Sequence, residues 1–261
     1  MNLNLVGRTA LVCGGSQGLG AAVAKELALL GANLVVLARR ESVLKELVAT
    51  LDKYKGQQHQ YLVADTNDAA ALIQKVKLLL KDTTIEILVN NTGGPPAGPL
   101  LDTDADSIEH AFRAHLSVSH LLTQTLVPGM KAAGFGRIIN ILSTSVKQPI
   151  DGLGISNTVR SAMANWAKTM ANELGGFGIT VNNVLPGYTN TDRLKYLFSK
   201  QAEIGGTTEE AILKKTIKLI PAARLGEPSE FGAAVAFLCS PAAAYINGIN
   251  LPVDGGRLSV L

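Results

Sequence analysis

The chain has 261 residues, 47% of them hydrophobic and 17% charged. That is enough apolar material for one α/β domain with a large core, and too much for a disordered or fibrous chain. The net charge of +3 is mild and the basic residues are scattered, which argues against nucleic acid as a main partner. No apolar run approaches membrane-spanning length, so no membrane partner is expected. Cys13 and Cys239 form neither a metal-ligand nor a C-x-x-C pattern, and the start lacks a signal-like apolar region. The expectation is a cytoplasmic protein with two free thiols and no resident metal.

The first strand is expected over Thr9–Cys13, followed by a glycine-rich turn and a helix over Leu19–Leu30 with Gly31 at its C-cap. A second strand, Asn33–Ala38, leads to Arg39 and Arg40 and a helix over Ser42–Leu51. The third strand, Gln60–Ala64, precedes Asp65 and Thr66 and a helix over Asp68–Leu80. The fourth, Ile85–Asn90, is followed by Asn91-Thr92-Gly93 and a long helix over Asp106–Met130. The fifth, Arg137–Leu142, ends at Ser143 and is followed by a helix over Asn157–Leu174 with Gly175 as its cap. The sixth, Ile179–Leu185, ends at Pro186-Gly187-Tyr188. Residues 187–220 then contain two helical patterns and no strand, at Asp192–Lys200 and Thr208–Ile220. A helix from Pro228 to Cys239 and a strand near Asn250–Val253 complete the chain. Strands that are apolar throughout and alternate with helices predict a Rossmann-type α/β fold. It is a doubly wound parallel sheet of about seven strands, with helices on both faces, built as a single domain over 1–261. The 187–220 segment follows a strand C-terminus, the ligand side of such a sheet, and is expected to be a substrate lid. A packing hairpin is the competing reading.

Gly14, Ser16, Gln17, Gly18, Leu19 and Gly20 join the first strand to the first helix. Glycines there allow a tight turn and close backbone approach, leaving amide groups to face a pyrophosphate at the helix N-terminus. At the end of the second strand, where an acidic residue would select NAD, stand Arg39 and Arg40. Two guanidiniums suit a 2′-phosphate, so the expected cofactor is NADP(H), with a solvated arginine pair as the alternative.

These residues resemble the short-chain dehydrogenase/reductase family, and within it the 3-oxoacyl-acyl-carrier-protein reductases. The resemblance covers essentially the whole chain. It rests on Gly14-x-x-x-Gly18-x-Gly20, Asp65, Asn90-Asn91-Thr92-Gly93, Pro186-Gly187 with Thr191 four residues on, and Val253-Asp254-Gly255-Gly256. It implies that Asp65 and Thr66 meet the adenine, that Asn91 and Gly93 line the cofactor, and that Pro186, Gly187 and Thr191 meet the nicotinamide. It also implies a homotetramer, and acyl carrier protein as a carrier of substrate.

The family's catalytic set is Asn, Ser, Tyr and Lys, and three of the four have changed here. Lys168, Glu173 and Leu174 lie eight, thirteen and fourteen residues after Arg160, as the family places them after its lysine. Ser143 lies thirteen before Ser156. By this alignment Ser143 is in place, Ser156 stands for Tyr, Arg160 for Lys, and His115 for Asn. Arg160 keeps a positive charge for the nicotinamide ribose but cannot relay a proton. Ser156 is too short, and too weak an acid, to replace a phenol. His115 can feed protons through water or Ser156, although a histidine bonded to backbone is an equal reading. Tyr188 is expected at the pocket rim as a substrate contact. Tyr196 and Lys200 form a literal Tyr-x-x-x-Lys, but in the lid and with no serine thirteen residues before it, so that pair is read as non-catalytic. Apolar lid residues, among them Leu194, Phe198 and Ile212, suit packing or an apolar substrate. The lid cations, among them Arg193, Lys195, Lys200 and Lys214, suit a solvated face or an acidic carrier. Two functions stand side by side: reduction of a 3-oxoacyl-thioester-like carbonyl with a non-standard proton donor, or a catalytically silent NADP(H)-binding protein.

Overall fold

The computed structural model describes residues 1–260. Seven strands lie in the order β3-β2-β1-β4-β5-β6-β7, and every neighbouring pair is parallel. They are β1 (Thr9–Cys13), β2 (Asn33–Ala38), β3 (His59–Val63), β4 (Ile87–Asn90), β5 (Gly136–Ile141), β6 (Ile179–Pro186) and β7 (Asn250–Val253). The reversal of strand order between β1 and β4 opens a crevice at their C-terminal ends, where ligands bind in such sheets.

Alternate side chains of each strand serve opposite faces. On one face Val12, Val36, Val89, Ile139 and Val184 pack under α1 (Gly18–Leu29), α2 (Glu41–Thr50) and α9 (Pro228–Cys239). On the other, Leu11, Val35, Leu88, Ile138 and Val181 pack under α3 (Ala69–Leu79), α5 (Val118–Ala132) and α6 (Gly154–Leu174). Two-sided burial explains why these strands read as continuous apolar runs. The expected helix over Asp106–Met130 is divided: α4 (Ala105–Phe112) and α5 flank a wider π turn over Arg113–Ser117. Gly31 follows α1 with φ +101, as a cap should. Gly175 does not take that role. Its φ is −55, and the left-handed turn falls instead on Gly178 at φ +74, after a short 3-10 turn. Pro228 opens α9 behind a capping box formed by Glu227 and Glu230.

One polar feature crosses this apolar sheet. Asn90, Asn140, Asn183 and Asn250 are direct neighbours on β4, β5, β6 and β7. Each donates its amide to the next carbonyl, at 2.9, 2.8 and 2.8 Å. The segment expected as a lid holds α7 (Asp192–Gly205) and α8 (Glu209–Ile217), each with a threonine N-cap.

Candidate active site

The glycine turn is shaped to leave room for a ligand. Gly14 and Gly18 both have φ +56, which a residue with a side chain rarely adopts. A β-carbon on Gly20 would lie 2.3 Å from the Gly14 carbonyl oxygen, and one on Gly14 would lie 2.7 Å from that of Asn91. Asn91 Nδ2 donates to the Gly14 carbonyl at 3.1 Å, tying the two loops of the crevice together. The N-cap of α1, Gln17, makes no side-chain cap, so the first amides of the helix are free to face a phosphate. Gly93 has nothing within 4 Å of where a side chain would start. A bare cradle at a helix N-terminus fits a dinucleotide.

At the far end of the cradle Arg40 donates to the Gln17 side chain, and Arg39 lies 4.0 Å from Asp65. The Arg39 side chain is 74% exposed, so this contact is loose and its donors remain free for a ligand. Asp65 Oδ1 accepts the Asn67 amide at 2.9 Å, which shapes the turn containing Thr66.

The crevice continues past β5. Ser143 caps a short 3-10 turn, its Oγ accepting the Ser145 amide at 3.1 Å and keeping its own proton to donate. α6 begins three residues earlier than expected, at Gly154, so Ser156 falls in its first turn and Arg160 one turn on. Arg160 Nε donates to Ser156 Oγ at 3.1 Å, and Nη1 donates to the carbonyls of Ile141 and Leu142 at 3.1 and 2.9 Å. Burial, and then the charge of Arg193, bring the Arg160 guanidinium down to about 10, which leaves it protonated at neutral pH. Ser156 and Arg160 therefore meet at the C-terminal end of β5, where Arg160 holds the carbonyl of the residue before Ser143.

His115 joins them because of the π turn. The Val118 amide reaches back to the Arg113 carbonyl, one residue further than in an α-helix, and His115 is buried at 4% exposure. Its carbonyl accepts Ser119 Oγ at 2.6 Å, and its Nδ1 shares a 2.6 Å hydrogen bond with Thr92 Oγ1. Desolvation, then the nearby Arg160 charge, push His115 down to about 4, against a smaller opposing pull from the Gly93 backbone. It is neutral at pH 7, so it stores no proton there and can only pass one along. Its folded-state value lies below its free value near 6.5, so the stabilising contribution is complete above about pH 6.5 and is lost as pH falls toward 4. His115→Asn should therefore flatten the loss of thermal stability between those pH values by roughly 3 kcal/mol. Melting curves across that range check it, and an unchanged acid limb would refute it.

Tyr188 follows β6. Its ring packs against Phe198 of α7 at 6.4 Å, and the Arg257 guanidinium lies over it at 4.8 Å. Arg257 Nη1 is also 3.4 Å from Thr144 Oγ1. Thr191 is the N-cap of α7, its Oγ1 accepting the Leu194 amide at 3.3 Å. Leu194, Phe198 and Ala202 are buried, while Tyr196 is 54% exposed. Lys195, Lys200 and Lys214 pair with Asp192, Glu203 and Glu210 on their own helices. A cavity of about 350 Å³ lies between Gly18, Lys25, Thr191 and Pro228, beside the cradle. Arg257 and Arg193, absent from the expected site, both join it. No group of metal-ligating side chains occurs among the described residues, and no helix among them is long and apolar enough to cross a membrane.

A nucleotide crevice continuous with a serine and a cation beneath the fifth strand defines an NAD(P)-dependent oxidoreductase fold. The family profile described as enoyl-(acyl carrier protein) reductase matches residues 14–257. The chain belongs to the short-chain dehydrogenase/reductase family. It is 32% identical to the 3-oxoacyl-[acyl-carrier-protein] reductase FabG of Vibrio harveyi, covering 99% of this chain and 100% of that one. A tropinone reductase homologue of Arabidopsis thaliana is 34% identical over 97% of this chain and 94% of its own. Among solved structures, L-sorbose reductase from Gluconobacter frateurii, complexed with NADPH and L-sorbose, superposes with a TM-score of 0.91. It is 29% identical and both chains are fully covered. YwfH, an NADPH-dependent reductase involved in bacilysin biosynthesis, has a TM-score of 0.88 at 28% identity, covering 97% of this chain and 99% of that one.

Proposed function

We propose that the chain is an NADP(H)-dependent reductase of a carbonyl in a 3-oxoacyl-thioester-like compound, working with a non-standard proton donor. The observation that supports this is the bonding of Arg160 to Ser156 and to the carbonyl beside Ser143, in a chain whose glycine cradle is intact. Gly14, Ser16, Gln17, Gly18, Leu19 and Gly20 would hold the pyrophosphate and Arg39 and Arg40 the 2′-phosphate. Asp65 and Thr66 would hold the adenine end, and Asn91, Gly93, Pro186, Gly187 and Thr191 the nicotinamide end. When bound, NADPH supplies the hydride for the carbonyl carbon. Ser143 donates a hydrogen bond to the carbonyl oxygen and polarises it. Arg160 is a fixed charge that steadies the negative oxygen as it forms. Because Arg160 donates to Ser156 Oγ, the Ser156 proton is left to point toward that oxygen. His115 and Thr92 form a neutral relay through which solvent resupplies the proton. Tyr188 lines the substrate side. The segment 187–220 acts as the lid within the single domain 1–261. Acyl carrier protein as the carrier rests on the likeness to FabG, since three of the lid lysines are already paired locally.

NADPH oxidation with 3-oxoacyl thioesters, quinones and small ketones tests the reading. Ser143→Ala should lower kcat about a hundredfold while leaving NADPH affinity unchanged, because it removes one donor to the developing oxyanion. Tight NADPH binding without turnover of any of these would replace the reductase by a catalytically silent NADP(H)-binding protein. One observation favours that second reading: with His115 neutral and Arg160 permanently charged, the site holds no ready acid at pH 7. The cytoplasm as compartment and a homotetramer belong to the same proposal. Phe112 and Leu121, on α4 and α5, are 42% and 37% exposed and would be covered in such an assembly. Sedimentation at the monomer mass would overturn the tetramer.

A further inference from the structure

Two guanidiniums hold the residues on either side of Ser143, and a third converges on one of them, all without a counter-charge. Arg160 holds the carbonyl of Leu142, the residue before it, and Arg257 reaches the hydroxyl of Thr144, the residue after it. The third is Arg193, from the first turn of α7. A β-carbon on Gly94 would lie 3.8 Å from Arg160 Nη2 and 3.9 Å from Arg193 Nη2, so both tips converge on one point beside a residue with no side chain. None of the three arginines has a carboxylate within 4.0 Å among the described residues, whereas Arg8, Arg39, Arg113 and Arg224 each have one. The convergence costs the folded protein something, since the Arg193 charge itself disfavours protonation of Arg160. Arg257 is kept in place by stacking on Tyr188, and Arg193 lies over the Tyr196 ring at 5.8 Å.

Like charges gathered at one end of a crevice, with the Arg160 Nη2 and Arg193 donors still free of protein partners, are the complement of an oxyanion. We propose that Arg160, Arg193 and Arg257 form an oxyanion subsite next to Ser143, so that the carbonyl substrate carries a carboxylate or phosphate ester close to the carbonyl being reduced. This rests on the carbonyl-reductase reading, keeps its reaction, and puts a short anionic ketone in place of the acyl thioester. A long neutral acyl chain would leave these charges facing apolar carbon. A short oxo acid or a phosphorylated ketone would place its anion on Arg193 and Arg257 and its carbonyl oxygen at Ser143. Arg193 and Arg257 are thus specificity residues, distinct from the cradle that holds the cofactor, while Arg160 belongs to the catalytic site as well.

The test uses the full chain and matched pairs of probes: 2-oxopentanoate with 2-oxopentanamide, and dihydroxyacetone phosphate with dihydroxyacetone. The charged member of at least one pair should have a kcat/KM about 10- to 100-fold higher, the range expected of a charge-assisted contact. Whichever pair shows the preference tells carboxylate from phosphate. Arg193→Gln and Arg257→Gln should each erase most of that ratio through KM, while the NADPH Kd stays the same. Calorimetric titration of the NADP⁺-loaded protein with the same four probes separates this proposal from the one beneath it. If nothing turns over but the anions bind and the variants weaken them, the subsite stands and the reductase falls. If ketones turn over but charged and neutral partners bind and react equally, the subsite falls and the reductase stands. A loss in the variants that appears in NADPH affinity instead of the charge ratio would assign the arginines to the cofactor and overturn the subsite.

Discussion

Restoring tyrosine and lysine together, as Ser156→Tyr with Arg160→Lys, should raise ketone reduction by about 10² to 10⁴, the range a positioned general acid contributes. The pair must change as a unit. Ser156 is buried and its Oγ accepts the Arg160 Nε–H, so a phenol introduced alone would run into the guanidinium. Lysine is shorter at its head and carries no planar fork, so it vacates the volume a tyrosine ring needs. The single Ser156→Tyr variant should therefore gain nothing and lose stability, which makes the coupling between the two sites the signature of the effect. Steady-state rates on a generic ketone, with NADPH affinity measured alongside, check this. A double variant that binds NADPH normally and gains no rate would show that the proton path does not pass through residue 156. The same change removes one of the three arginines beside Ser143, so any preference for anionic ketones should weaken as the general rate rises.

The asparagine row gives the largest expected stability effect. Asn140 is fully buried, donating to Asn183 and accepting from Asn90. Asn140→Ala removes two hydrogen bonds and strands a donor on one side and an acceptor on the other, each worth roughly 1–3 kcal/mol when left unpaired in a core. A total loss of about 2–5 kcal/mol is expected, or a fall in Tm of about 5–15 °C for a domain of this size at fixed protein concentration. Asn140→Leu is the informative control. It restores the volume but not the partners, so it should be no better than alanine; recovery by leucine would show that packing, not pairing, matters there. The row also explains how the site stays in order, because Asn90 adjoins Asn91 of the cradle and Asn140 lies three residues before Ser143.

Much of this was readable in advance where local rules act alone. The seven strands follow from continuous apolar runs, and the cradle follows from glycines at Gly14, Gly18 and Gly20 between a strand and a helix. Ser143 and Arg160 followed from spacing. The π turn did not, because no Pro or Gly marks Arg113–Ser117 and apolar spacing alone does not tell a π turn from an α turn. Gly175 was expected as the cap, but the chain makes a short 3-10 turn first and places its left-handed residue at Gly178. Arg193 and Arg257 were missed for another reason. Arg193 stands two residues after Thr191 and Arg257 directly after Gly256, but neither belongs to the motif beside it, and each reads as a solvated cation. The one available sign, that Arg193 has no acidic residue three or four positions away, is shared with Lys215 and Lys218. Convergence of residues 94, 160 and 193 is a property of the folded sheet, not of any window of sequence.

The wide turn at Arg113–Ser117 makes the site sensitive to chain length. An added residue rotates everything after it by roughly 100° around the helix axis. Helix and site are thus separated by the length of one codon. A one-residue deletion there would let the chain run on as ordinary α-helix, while turning either His115 or the buried face of α5 away from its partners. The histidine and the core contacts of Leu122 and Leu126 are tied together by that single surplus residue. At this position the number of residues matters before their chemistry does.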